Sequence, residues 1–168
     1  KLHDIPNTVS KSLANICNLG VWMSNIHLLG GQEMIQEASA TVKKSNSDMI
    51  LVGVTILTSL NENNLVELGF NSSAEEIAIK LAKLGKQNGV DGVVCSIEDI
   101  SGIKASLGGD FLSVTPGVRM SQDNDDQKRS GSIYNAIQFG TDFVVVGREI
   151  TQAKNPEGVL KKIESLIV

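Results

Sequence analysis

The feature that most constrains the fold is a repeated alternation. Short apolar, β-branched runs are separated by longer stretches at helical period, with Gly, Asn and Asp turns between them. The runs at residues 21–27, 49–55, 92–96, 111–115 and 142–146 are apolar nearly throughout. Strands buried on both faces have that character, which predicts a parallel sheet covered by helices rather than an antiparallel sheet with one wet face. Helical period predicts helices over 8–19, 32–44, 74–88, 98–106, 133–139 and 156–166. Ser73 ahead of Ala74-Glu75-Glu76 reads as an N-cap with an acidic first turn, and Gly89 after Asn88 as a stop. Asn155-Pro156-Glu157 reads as a similar start. With no low-complexity tract or linker, a single α/β domain over 1–168 is expected.

Composition narrows the function classes. The 168 residues are 41% hydrophobic and carry a net charge of −4, so no global basic field attracts nucleic acid or an anionic membrane. No apolar run approaches the ~18 residues of a membrane span. Cys17 and Cys95 sit among aliphatic residues and read as buried thiols of a reducing compartment, without a disulfide. His3 and His27 do not combine with them at any familiar zinc spacing, so no metal site is expected. His27, at a strand end, is assigned a structural role, and Trp22, in an apolar run, a place in the core.

Two parallel architectures compete, an open doubly wound sheet and the closed (β/α)8 TIM barrel. The G-x-G-x-x-G fingerprint of dinucleotide folds is absent. Barrels gather ligand groups at the C-terminal ends of strands, often with a phosphate site after the last two. Here Thr115-Pro116-Gly117-Val118-Arg119 follows one late strand and Gly147-Arg148 the last. Counting back from the last strand as the eighth makes 21–27 the fourth, and Lys1 then falls at the C-terminal end of a third. The chain accordingly reads as about the last five βα units of a barrel whose N-terminal part is missing. About 70 further residues would bring it near the ~250 typical of such barrels.

The opening Lys1-Leu2-His3-Asp4-Ile5-Pro6-Asn7-Thr8 puts an ammonium and a carboxylate three residues apart where a strand runs into a helix. Taken alone, Asp4 or Thr8 caps that helix, Pro6 sets the turn and Lys1 is a solvated end. Similarly, Gly147 and Arg148 alone are a turn glycine and a surface arginine.

The octet K-x-H-D-I-P-N-T, followed by a helix and then Gly20-Val21-Trp22-Met23, resembles the signature of the orotidine 5'-phosphate decarboxylase family. Val54-Thr55-Ile56-Leu57-Thr58-Ser59, Asp91-Gly92-Val93-Val94-Cys95-Ser96, Thr115-Pro116-Gly117-Val118-Arg119, Asp126-Gln127-Lys128-Arg129 and Val146-Gly147-Arg148-Glu149-Ile150-Thr151 resemble further family segments in the same order. The resemblance implies that Lys1 and Asp4 are the lysine and second aspartate of a D-x-K-x-x-D motif, its first aspartate and another network lysine lying upstream. In that family the lysine protonates the pyrimidine C6 carbanion as carbon dioxide leaves, and the second aspartate reaches the neighbouring subunit's site. It implies a cytoplasmic, cofactor-free carboxy-lyase, a homodimer with shared active sites, converting orotidine 5'-monophosphate to uridine 5'-monophosphate in pyrimidine biosynthesis. Pro116, Arg119, Gln127, Gly147 and Arg148 match its substrate and phosphate contacts, Thr58 a residue near the pyrimidine, and Ile5 and Thr8 contacts from the partner subunit. The polar stretch 119–129 is read as a lid over the phosphate.

The chain departs from the family at Met120, where Pro commonly follows the lid arginine, at Gly131-Ser132, where Thr-Pro is common, and at Glu149, where Pro is common. Glu149 adds a negative charge beside the phosphate site. Two rivals stand beside this reading: a magnesium-dependent phosphosugar decarboxylase or aldolase of the same barrel superfamily, and a barrel that binds phosphate without catalysis. The 168-residue chain alone is expected to be insoluble or inactive, because an open barrel exposes sheet edges and interior.

Overall fold

The computed structural model describes residues 1–120 and 131–167. Strands β1 (Met23–His27), β2 (Ile50–Val54), β3 (Gly92–Val94), β4 (Leu112–Pro116) and β7 (Phe143–Val145) form one sheet in the order β1-β2-β3-β4-β7, every pairing parallel. Each strand lies beside the one before it, so the winding never reverses. That separates a barrel from a doubly wound sheet, whose order reverses at a switch point. Helices α1 (Pro6–Asn18), α2 (Gly31–Lys44), α4 (Ala74–Gln87), α5 (Ile100–Leu107), α6 (Ile133–Gln138) and α8 (Pro156–Ile167) supply the connections and the final element. The chain therefore supplies five βα units of a (β/α)8 arrangement.

The segment before α1 belongs to the same sheet. Leu2 bridges Ile26 in parallel, its N–H donating to the Asn25 carbonyl (3.4 Å) while its own carbonyl accepts from the His27 N–H (2.8 Å). Lys1 is thereby level with Asn25 and His3 with His27, beside the C-terminal end of β1, where the backward count puts them.

The sheet is curved. Five strands spaced ~4.8 Å apart span about 19 Å when flat, yet the ring of Trp22, just before β1, meets that of Phe143 at the start of β7 edge-on at 5.2 Å. The two edge strands must curl toward each other into a trough. Side-chain alternation sorts the two faces. Ile26, Leu51, Val93, Ser113 and Thr115 are buried under the helices. On the concave side Asn25, His27, Val94, Leu112 and Phe143 are half-buried, and Val145 is 49% exposed. Trp22 is corrected accordingly: it lines the trough at 60% exposure instead of joining the core, because its contact lies across the sheet rather than under a helix.

Local punctuation follows the sequence closely. Ser73 Oγ accepts from the Glu76 N–H (3.2 Å) and Glu76 Oε2 from the Ser73 N–H (3.1 Å), a reciprocal cap on α4. Gly89 closes that helix at φ +90°, where L side chains are strained. Asn155 Oδ1 accepts from the Gly158 N–H (3.0 Å) at the start of α8. Cys17 and Cys95 are buried and are not joined in a disulfide. Short elements escape the sequence pattern: α3 (Glu62–Glu67), capped by Asn61, α7 (Arg148–Thr151), and a parallel pair of two-residue strands, β5 (Val118–Arg119) and β6 (Gly131–Ser132).

Candidate active site

Because every strand of the main sheet runs the same way, their C-terminal ends share one rim. Lys1 and His3 stand at the β1 edge of that rim, and Arg148 follows β7 at the other edge. Between them lie Thr58 after β2, half-buried, and Pro116 ending β4. Arg119 ends β5 immediately beyond the Gly117 turn (φ +73°).

At the lysine edge, α1 begins at Pro6 with Ile5 as N-cap residue and no side-chain cap. Neither Asp4 nor Thr8 caps the helix, so the bland reading of both is set aside. Asp4 Oδ1 accepts the Ile5 N–H at 2.7 Å, and the carboxylate remains exposed, as do Lys1, Ile5 and Thr8. The rings of His3 and His27 stack at 5.0 Å with an interplanar angle of 20°, which requires both to stand on one face of the sheet. Lys1 and Asn25, two residues back on each strand, share that face by alternation. Burial, the neighbouring His3 and the Lys1 charge together push the His27 imidazole below its usual range. Among the described residues, Asn25 Oδ1 is a buried side-chain acceptor with no hydrogen-bond partner. Sequence reasoning missed Asn25, since an asparagine within an apolar run announces a polar site only once its facing is known.

At the arginine edge, Gly147 is exposed, and a β-carbon placed on it would meet nothing within 4 Å. Its backbone is open to a close-approaching ligand, and Arg148 opens α7 directly after it. The Glu149 carboxylate accepts the Met120 backbone N–H at 3.0 Å (Oε2) and 3.2 Å (Oε1). Its charge is thus directed onto a donor at the β5 end. Gln127 and most of the 119–129 stretch read as a lid lie outside the described residues.

Among the described residues no three His, Cys, Asp or Glu side chains group so as to hold a metal ion. The rim carries a lysine ammonium, a carboxylate three residues further along the chain, and the arginines Arg119 and Arg148, the second directly after an open glycine backbone.

Five parallel strands wound without reversal, each followed by a helix, define an α/β-barrel protein. The chain belongs to the family described as Orotidine 5'-phosphate decarboxylase / HUMPS family, whose model matches residues 1–163. It is similar to orotidine 5'-phosphate decarboxylases of Neisseria meningitidis (41% identical over 165 residues, 97% of this chain and 67% of that protein) and Pasteurella multocida (43% over 167 residues, 98% and 72%). A third relative, from Vibrio parahaemolyticus, is 44% identical over 165 residues, covering 97% and 71%. Among solved structures, the orotidine 5'-phosphate decarboxylase of Lactobacillus acidophilus superposes with a TM-score of 0.85 at 33% identity, covering 99% of this chain and 72% of that one. An uncharacterized conserved protein of Geobacillus kaustophilus gives 0.81 at 29% identity.

Proposed function

We propose that the protein carrying this chain is an orotidine 5'-phosphate decarboxylase, releasing carbon dioxide from orotidine 5'-monophosphate to leave uridine 5'-monophosphate. The observation that carries the reading is the Leu2–Ile26 bridge, because it sets Lys1 at the strand end, on the rim that also bears Arg119, Gly147 and Arg148.

In the reaction the bond from C6 to the carboxylate breaks, its electron pair stays on C6, and the Lys1 ammonium delivers a proton there. A positioned ammonium suits this step because it stabilises developing negative charge and then serves as the acid. Asp4, reaching across to the neighbouring subunit's site, helps keep the lysine ammonium there charged and oriented. Arg119 and Arg148 make charge-assisted hydrogen bonds to the phosphate, and Gly147 lets the backbone approach it. Binding the phosphate, remote from C6, supplies energy for orienting the pyrimidine. Pro116, Thr58 and Gln127 complete the substrate contacts.

The exposed Asp4, Ile5 and Thr8 reach the substrate of a second subunit in a homodimer with shared sites. The enzyme works in the cytoplasm without a cofactor; no helix among the described residues is long and apolar enough to cross a membrane.

The test is loss of orotidine 5'-monophosphate absorbance by the full-length protein in excess chelator, beside Lys1→Ala. Turnover that survives chelation and disappears with Lys1 supports the reading. Turnover abolished by the chelator moves it to the magnesium-dependent relatives, and none from a folded protein to a barrel that only binds phosphate.

A further inference from the structure

The two sides of the anion site are joined by one side chain. Residues 120 and 149 stand 29 positions apart, and each is the immediate chain neighbour of an arginine, Arg119 on one side and Arg148 on the other. The Met120 N–H points between the two Glu149 oxygens, 3.0 and 3.2 Å away, and both residues are partly buried.

We propose that Glu149 is a positioning residue that clasps the end of β5 to the start of α7, so fixing the distance between the two arginine-bearing segments and with it the affinity for a phosphomonoester dianion. This rests on the phosphate-site reading above. A carboxylate beside an anion site would otherwise repel its ligand. Engaged by an amide, it holds the site together instead, and a charge-assisted bond to a backbone N–H is among the stronger hydrogen bonds. The clasp acts before the ligand arrives, so its benefit is preorganisation rather than a contact with substrate.

The two roles predict opposite signs. If Glu149 were only a nearby negative charge, removing it would tighten phosphate binding. With the clasp, Glu149→Ala in the full-length protein weakens binding of uridine 5'-monophosphate, measured by calorimetry, about tenfold, in line with the sensitivity of such sites to small misplacements. Uridine, which lacks the phosphate, binds the variant as it binds the parent. For turnover, KM rises in proportion while kcat holds. Glu149→Gln keeps an acceptor oxygen and loses the charge, so it binds at least as tightly as the parent. Met120→Pro removes the donor and leaves the carboxylate unengaged beside the anion, and it binds weakest of the three. Equal or tighter binding by Glu149→Ala overturns the proposal, as does a Glu149→Gln variant as weak as Glu149→Ala. Should Met120→Pro not fold, the Glu149 pair decides. A parent that does not turn over orotidine 5'-monophosphate removes the decarboxylase reading alone, and the same comparison made with inorganic phosphate then judges the clasp.

Discussion

Leu28 is the fully buried residue that follows β1, and it is seated against two glycines. A β-carbon at Gly53 of β2 would lie 2.3 Å from Leu28 Cδ2, 2.5 Å from its Cγ and 2.8 Å from its Cδ1, and one at Gly85 of α4 would lie 3.0 Å from Cδ2. Rotating the end of the leucine does not relieve Gly53→Ala, because Cγ itself is in the way. Overpacking of this kind costs about 1–3 kcal/mol. Leu28→Ala alone removes a buried isobutyl group and leaves a cavity, at about 2–5 kcal/mol. In the double variant the new methyl enters the vacated space, so the clash vanishes and part of the cavity is filled. The double variant should therefore be no less stable than Leu28→Ala. The coupling in the cycle should offset the single-variant cost of Gly53→Ala, about 1–3 kcal/mol. Urea unfolding of the full-length protein measures all four corners, and a constant m-value licenses the comparison. Losses that add within about 0.5 kcal/mol would refute the reasoning, since they would mean that Leu28 and the Gly53 face do not share one volume.

Three further outcomes follow from the same contacts. With the His27 imidazole held below its usual pKa, stability is full above about pH 6.5 and falls as pH drops below it, because the unfolded chain takes up a proton that the folded one refuses. His27→Gln should shallow that slope below about pH 6.5, and an unchanged slope would assign the titration elsewhere. Burial pushes the Asp142 carboxyl up, but the Lys104 ammonium (2.7 Å) and the Ser113 N–H and Oγ (2.7 and 2.9 Å) outweigh it and hold the group below its usual value. That contribution is present above about pH 4 and is lost as pH falls. Asp142→Ala should cost about 1–3 kcal/mol in chemical unfolding with kcat unchanged, since it lies at the opposite end of β7 from Arg148. Finally, the 168-residue chain alone, with Trp22 and Val145 exposed in its trough, should aggregate or bind a hydrophobic dye and show no turnover. A cooperative thermal transition with turnover would contradict this.

The sequence by itself determined what short-range rules control. Apolar runs and helical period set the order of strands and helices, and the caps at Ser73, Gly89 and Asn155 set several of their ends. The K-x-H-D octet at the start of a helix identified the edge where Lys1 stands, and the backward strand count anticipated its level beside β1. Gly147-Arg148 and Arg119 marked the other edge. The sequence was silent where a side chain's role depends on what lies across the fold. Trp22 sits in an apolar run yet faces Phe143 across the trough, because sheet curvature belongs to no single strand. Asn25 has a buried unpartnered oxygen, and His27 a stacked ring, only through the register of the Leu2–Ile26 bridge. Met120 and Glu149 look like two unrelated departures 29 residues apart. Tertiary structure alone brings the ends of β5 and α7 to hydrogen-bonding distance, because period and propensity act over a few residues while this contact is set by how strands and helices stack.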